Sequence, residues 1–259
     1  MRIDAIKHVA AALCCCAAMP FASAADGTVS VGTGFNYISG RYGTATTTDV
    51  TSIPFLLKYE TADWTLKLTL PYLYVSGGTS VIPGVGGADN RNPRSRTASA
   101  EGLGDVVAAA TYAAYYDSAS ALGVDLTGKV KFGTADRDKG LGTGENDYSA
   151  QVDVYKGYGH FTVFGGMGYT ALGSSPYLSL NNVFNLTLGG AYKLNDLTTA
   201  GLTYDARERV TSTSGAMSEA MAYVSHKIDK HWKSQFYLLK GFETGSPEWG
   251  AGANINYAF

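Results

Sequence analysis

Cysteine occurs in one place only: Cys14, Cys15 and Cys16 stand side by side near the start of the 259-residue chain. Beyond them there is no disulfide staple, no thiolate metal site and no thiol nucleophile. Charge is sparse as well. Only 16% of residues are charged, and 20 Lys and Arg against 22 Asp and Glu give a net charge of −2. That excludes the basic balance of a nucleic-acid binder. Long apolar runs are missing too, so no helix is expected to cross a bilayer. Proline is scarce (7 residues), and Pro54 and Pro71 fall inside strand-like segments, which they weaken because they cannot donate to a ladder. What the chain has in quantity is glycine (32) and tyrosine (18), a composition that suits a membrane barrel better than a helical enzyme.

The three cysteines sit in a segment with its own logic. Met1-Arg-Ile-Asp-Ala-Ile-Lys7 is basic, Val9 to Met19 is apolar, and Ala22-Ser-Ala24 supplies small residues. This order predicts a secretory signal over 1–24, cleaved before Ala25, followed by a single barrel domain over 25–259. Acylation of a cysteine is the weaker alternative, because Leu13 stands where a lipoprotein signal has a small residue.

The last stretch, Trp249 to Phe259, shows the pattern that organises the rest. Trp249, Ala251, Ala253, Ile255, Tyr257 and Phe259 fall on one side, and Gly250, Gly252, Asn254, Asn256 and Ala258 on the other. This is strand alternation, apolar on one face and bounded by aromatics at both ends. A chain ending in Phe259, with Tyr257 two residues earlier, resembles the C-terminal signal that the outer-membrane assembly machinery reads. Similar segments recur upstream. The clearest alternates Leu122, Val124, Leu126, Val130 and Phe132 with Asp125, Thr127, Lys129 and Lys131. The stretch from Asp105 to Tyr116 is so rich in alanine that its faces cannot be assigned.

The links between segments fall into two classes. Gly40–Thr48, Ser76–Glu101, Gly133–Asn146, Leu172–Asn182, Val210–Gly215 and Glu243–Glu248 are longer and rich in Gly, Ser and Thr. Glu60–Asp63, Asp117–Ser120, Gly157–His160, Asn195–Asp196 and Asp229–His231 are tight turns, and the two classes alternate. A soluble sandwich has no reason to sort its loops this way. The expected fold is therefore all-β: a transmembrane, antiparallel, up-and-down β-barrel of about 12 strands. Its partners are outer-membrane lipid and lipopolysaccharide, with both termini on the short-turn side.

Few residues suggest catalysis. Gly102-Leu-Gly-Asp105 lacks the third glycine and the helix of a dinucleotide fingerprint. Asp136, Asp138, Glu145 and Asp147 make only part of a calcium loop. His160, His226 and His231 lack zinc spacing, and Ser225 and His226 are neighbours that point to opposite faces of a strand. No catalytic, metal or cofactor site is expected. The informative constellation is the charged face of the strands. Lys58, Lys67, Asp125, Lys129, Lys131, Asp153, Asp205, Arg207, Arg209 and Glu219 are the lumen-lining candidates, with Asp105, Lys193, Lys227 and Lys233 on the same predicted face. They either pair across the bore or line a wet path.

Glu101-Gly-Leu-Gly-Asp105, Lys131-Phe-Gly-Thr134, Gly140-Leu-Gly-Thr-Gly144 and Asp147 together resemble the barrels of the meta-pathway phenol-degradation family, also called transporters. That family has Pro-Thr-Gly where this chain has Phe132-Gly-Thr134. The resemblance implies an outer-membrane channel for small solutes, among them aromatic or hydrophobic compounds. The alternatives are a barrel that transports nothing and presents its outer loops to a partner, and an outer-membrane enzyme.

Overall fold

In the computed structural model, residues 27–78, 81–87, 99–176 and 178–259 are described. The predicted signal over 1–24, with its three cysteines, and Arg91, Arg94 and Arg96 of the longest link lie outside these residues. The strands are β1 (Thr28–Gly40), β2 (Thr48–Glu60), β3 (Trp64–Ser76), β4 (Val81–Ile82), β5 (Gly86–Gly87), β6 (Ser99–Leu103), β7 (Val106–Asp117) and β8 (Leu122–Phe132). They continue with β9 (Asp147–Tyr158), β10 (Phe161–Ala171), β11 (Val183–Lys193), β12 (Thr198–Arg207), β13 (Met217–Lys227), β14 (Trp232–Gly241) and β15 (Trp249–Ala258).

Neighbouring strands of the main sheet pair antiparallel, and β1 pairs with β15 as well as β2, so the sheet closes on itself. Thirteen strands make up this sheet; β6 and β7 both pair with β3 and share one position, which leaves twelve staves. Closure pairs the staves around the ring, as strands surrounded by hydrocarbon require, and leaves an open edge only at the short β6, which pairs with β3 alone among the described residues. Short turns join β2 to β3, β7 to β8, β9 to β10, β11 to β12 and β13 to β14, and the long links lie at the other end. The start of β1 and the C-terminal residue meet at the short-turn end, where the Phe259 amide donates to the Val29 carbonyl.

The outside of the barrel is apolar to a degree that water would not tolerate. Phe35, Phe55, Met167, Leu202, Phe236 and Leu238 are all more than half exposed. A surface of that kind belongs in lipid. Aromatic pairs mark both ends of the band. Tyr37 with Trp249 and Tyr169 with Phe184 sit toward the long links; Trp64 with Tyr112 and Trp232 with Tyr257 sit toward the short turns.

Two irregularities explain where the alternation is hard to read. A bulge between Ala113 and Tyr115 inserts Ala114 into β7, so that Tyr112 and Tyr115 are both exposed despite their odd spacing. The alanine-rich stretch therefore changes faces partway along. The second irregularity is the break at Gly104-Asp105. Pro71 has no N–H, and β3 leaves β7 at Thr69 and takes up β6 at Tyr72. Only the Gly104 amide crosses the gap, donating to the Pro71 carbonyl at 2.8 Å. The prolines do not interrupt the strands themselves: Pro54 stands directly opposite Pro71 in the unbroken β2–β3 ladder. The longest link is not wholly irregular either, since β4 and β5 form a small hairpin within it.

Candidate functional site

Alternation places one residue in two on the inner wall, and these positions carry the ionisable groups. Lys58 and Lys67 are directly opposed on β2 and β3, and Lys58 forms an ion pair with Glu60 at 2.7 Å. Asp125 and Asp153 are directly opposed on β8 and β9, where two like charges disfavour each other. Asp153 accepts from Gln151 Nε2 at 2.7 Å, while Asp125 Oδ1 is buried with no hydrogen-bond partner among the described residues. The line of pairing continues through Gly166 to Thr187, whose hydroxyl donates to Asp205 at 2.6 Å, and on to Glu219 opposite Asp205. Lys129 shares the inward side of β8 with Asp125 and is exposed. Arg209 departs from the expected set. The strand ends at Arg207, so Arg209 lies in the following link and is exposed there, off the inner wall.

The motif segments meet at Lys131. Its ammonium pairs with Asp147 at 2.9 Å and Asp105 at 3.2 Å and reaches the Thr143 hydroxyl at 3.1 Å. Asp105 also accepts the Ala135 amide at 2.9 Å. Leu141 from the same link is buried with Val50, Leu73, Val75 and Ala135, so the 133–146 link folds against the inner wall of β2 and β3. Asp136 is used locally, its Oδ1 accepting the Asp138 and Lys139 amides. The motif thus anchors a loop inside the long-loop mouth.

Arg207 forms a second anchor. Its guanidinium donates to the Gly84 carbonyl at 3.2 Å and the Val85 carbonyl at 2.7 Å, the turn of the β4–β5 hairpin. The hairpin leaves the wall at β3, and β12 is the same number of staves away in either direction, so the hairpin spans the mouth. Ile82 and Val85 are buried there with Leu178, Leu180, Val183 and Val210 from the opposite rim. Tyr42, also in a link at this end, is buried, and burial pushes its phenol well above the ordinary value. On the exposed rim, the hydrogen bond from Arg41 at 2.6 Å holds the Glu248 carboxyl below its usual range.

The sequence reading missed the inward aromatics. Tyr155 lies over Gly123, Phe164 over Gly189, Tyr223 over Gly201 and Tyr237 over Gly252, each ring against the glycine directly across the ladder. A Cβ at any of the four glycines would run into the ring, so glycine lets the ring lie flat on the wall. Glycines at inward positions of adjacent strands are the signal that could have revealed them. The histidines brace the short-turn end: His160 Nδ1 lies 3.1 Å from the Lys193 carbonyl, His231 Nδ1 lies 2.7 Å from that of Ala258, and His226 bonds Thr198. Ser225 is buried in the wall while the neighbouring His226 is exposed.

No protein-family model and no curated protein matches the sequence. Among solved structures, the COG4313 outer membrane channel from Pseudomonas putida F1 superimposes with a TM-score of 0.70 at 13% identity, over 92% of this chain and 98% of that one. The KdgM porin gives 0.56 at 12% identity, over 89% and 99%. The beta domain of the Bordetella autotransporter BrkA gives 0.50 at 14% identity, over 90% and 100%. The likeness is one of fold, that of bacterial outer-membrane barrels, and that fold serves channels and autotransporters alike.

Proposed function

We propose that the chain is an outer-membrane channel for small solutes, with the short turns and both termini in the periplasm and the long links at the cell surface. One observation carries this reading: a closed barrel, apolar outside, whose inner wall bears ionisable side chains of both signs on β2, β3, β8, β9, β12 and β13. Paired charges would be enough to hold a plug, but the exposed Lys129 favours a wet bore. We assign Lys58, Lys67, Asp125, Lys129, Asp153, Asp205 and Glu219 to the lining. Lys131 and Arg207 serve the mouth instead. Fold likeness to the COG4313 channel and the KdgM porin supports the same reading, as does the motif resemblance, which extends it to aromatic or hydrophobic compounds. Tyr257 and Phe259, edge to face at 5.0 Å on the last strand, are the contact we assign to the assembly machinery.

Single-channel recording of the refolded protein in a planar bilayer tests the proposal. Discrete conductance steps are expected, and Lys129→Ala should shift ion selectivity toward cations. A wild-type protein that folds, inserts and passes no current would favour the rival reading, a barrel that presents its loops to a partner.

A further inference from the structure

Where β8 meets β9, Asp125 stands directly opposite Asp153 on the inner wall, and each is 5% exposed. Their row runs on to Ala113 of β7 and Gly166 of β10, neither of which offers a polar side chain. The row toward the short turns is Tyr116, Gly123, Tyr155 and Phe164, so rings cover the pair on that side. The row toward the long links is Thr111, Thr127, Gln151 and Gly168, which is polar but uncharged. The titratable neighbours on the adjoining strands are therefore the Tyr116 and Tyr155 phenols. Lys129, the next cation along the inward face of β8, lies two rows away and is exposed. Asp205, the next carboxylate along the row, is three staves from Asp153 and takes its own donor from Thr187. Gln151 Nε2 donates to Asp153 Oδ1, and Asp125 Oδ1 is buried with no partner among the described residues.

Two buried carboxylates at cross-strand distance, with no cation in the rows around them, are costly to ionise together. A solute is no remedy, because the open oxygen is closed off from the bore. Nor is a metal ion, since no group of three acids or histidines among the described residues could hold one. A proton needs no cavity. We propose that Asp125 and Asp153 form a proton-binding site that holds one proton between them at neutral pH, so the pair carries one negative charge instead of two. As a hydroxyl, the Asp125 oxygen can donate to the carboxylate opposite; as a carboxylate it can only accept. The proton belongs to the pair rather than to either residue. Gly166 leaves room for the arrangement, since a Cβ there would run into Asp153 Oδ1. The inference stands apart from the channel reading. In a conducting barrel it adds that cation selectivity rises when the proton leaves at alkaline pH.

The test is infrared spectroscopy of the folded barrel in detergent. At neutral pH the wild type should show the carbonyl stretch of a protonated carboxyl, and Asp125→Asn, which keeps the shape of the side chain, should abolish it. Asp153→Asn should abolish it too, because the remaining carboxylate no longer faces a like charge. Equal spectra for wild type and Asp125→Asn overturn the proposal. A band that survives Asp153→Asn overturns the shared proton, since burial alone would then protonate Asp125. Stability gives a second readout on the wild type. The unfolded chain releases its carboxyl protons near about 3.9. The folded pair keeps one, so above that value the folding equilibrium constant should fall by up to about tenfold per pH unit until the proton leaves. Asp125→Asn should lack this component, and identical pH profiles for the two proteins would overturn the site. Channel recording separates the two claims: the band without any conductance overturns the channel and leaves the proton site standing, and conductance without the band does the reverse.

Discussion

Lys131 holds two carboxylates of different elements, and its replacement leaves both without their cation. Lys131→Ala strands Asp105 and Asp147, each 9% exposed, beside the other. Breaking a buried pair from one side costs roughly 3–5 kcal/mol, an upper figure here because the lysine itself is 17% exposed. Denaturant unfolding followed by circular dichroism should show the drop, and Asp147→Asn in the same background should recover part of it. An unchanged midpoint would mean that water replaces the lysine freely. The inward direction of this lysine was legible from alternation along β8; its partners were not. Asp105 and Asp147 are far apart in sequence and meet because β7 and β9 flank β8, with Asp147 directly opposite Lys131 and Asp105 beside the Val106–Phe132 pair. Arg209 failed for the opposite reason: alternation continues on paper past Arg207, where the strand has ended.

Among the elements, the β4–β5 hairpin is held in two ways, by Arg207 at its backbone carbonyls and by its own Ile82 and Val85 side chains. Arg207→Ala therefore removes the grip at Gly84 and Val85 and leaves the apolar contact of Ile82 and Val85. The expected outcome is a channel open for a larger fraction of time, by about tenfold if one charged hydrogen-bonded contact is lost. Equal open times in wild type and variant would show that the hairpin does not gate. At the other end, the β13–β14 turn is fixed by Asp229, whose carboxylate accepts the His231 amide at 2.7 Å and the Trp232 amide at 2.8 Å. The Trp232 bond, then the His231 bond, holds this group below its ordinary value, so the turn keeps its anchor at neutral pH. The anchor is lost as pH falls through that lowered value. The Trp232 amide resonance should titrate with a midpoint below about 3.9; a midpoint above it would remove the bonds from the account. The turn itself could be read from Asp229–His231, because such turns are local chemistry. The mouth hairpin could not, since nothing near Gly84 in sequence announces an arginine on the opposite wall.

As a whole molecule, the barrel follows from patterns a reader can find without coordinates: alternation, the sorting of long and short links, and an even count of staves. What escaped notice was interior and non-local. Alanine gives no contrast between faces, so the Ala114 bulge was hidden, and flat rings over glycines appear only when two strands are set in register. The meeting of the first and last strands has one more consequence. Thr28 and Ala258 lie on adjacent staves, and Phe259 is bonded to Val29, so the closed ring has a seam but no privileged starting point. A circular permutant, its old ends joined by a few glycines and its new ends opened in the Asp117–Ser120 turn, should refold in detergent to a barrel of wild-type stability. In cells the same permutant would carry Tyr257 and Phe259 in mid-chain, and its delivery to the outer membrane should fail. A permutant that folds in vitro yet strands in the periplasm would separate the information for shape from the information for address.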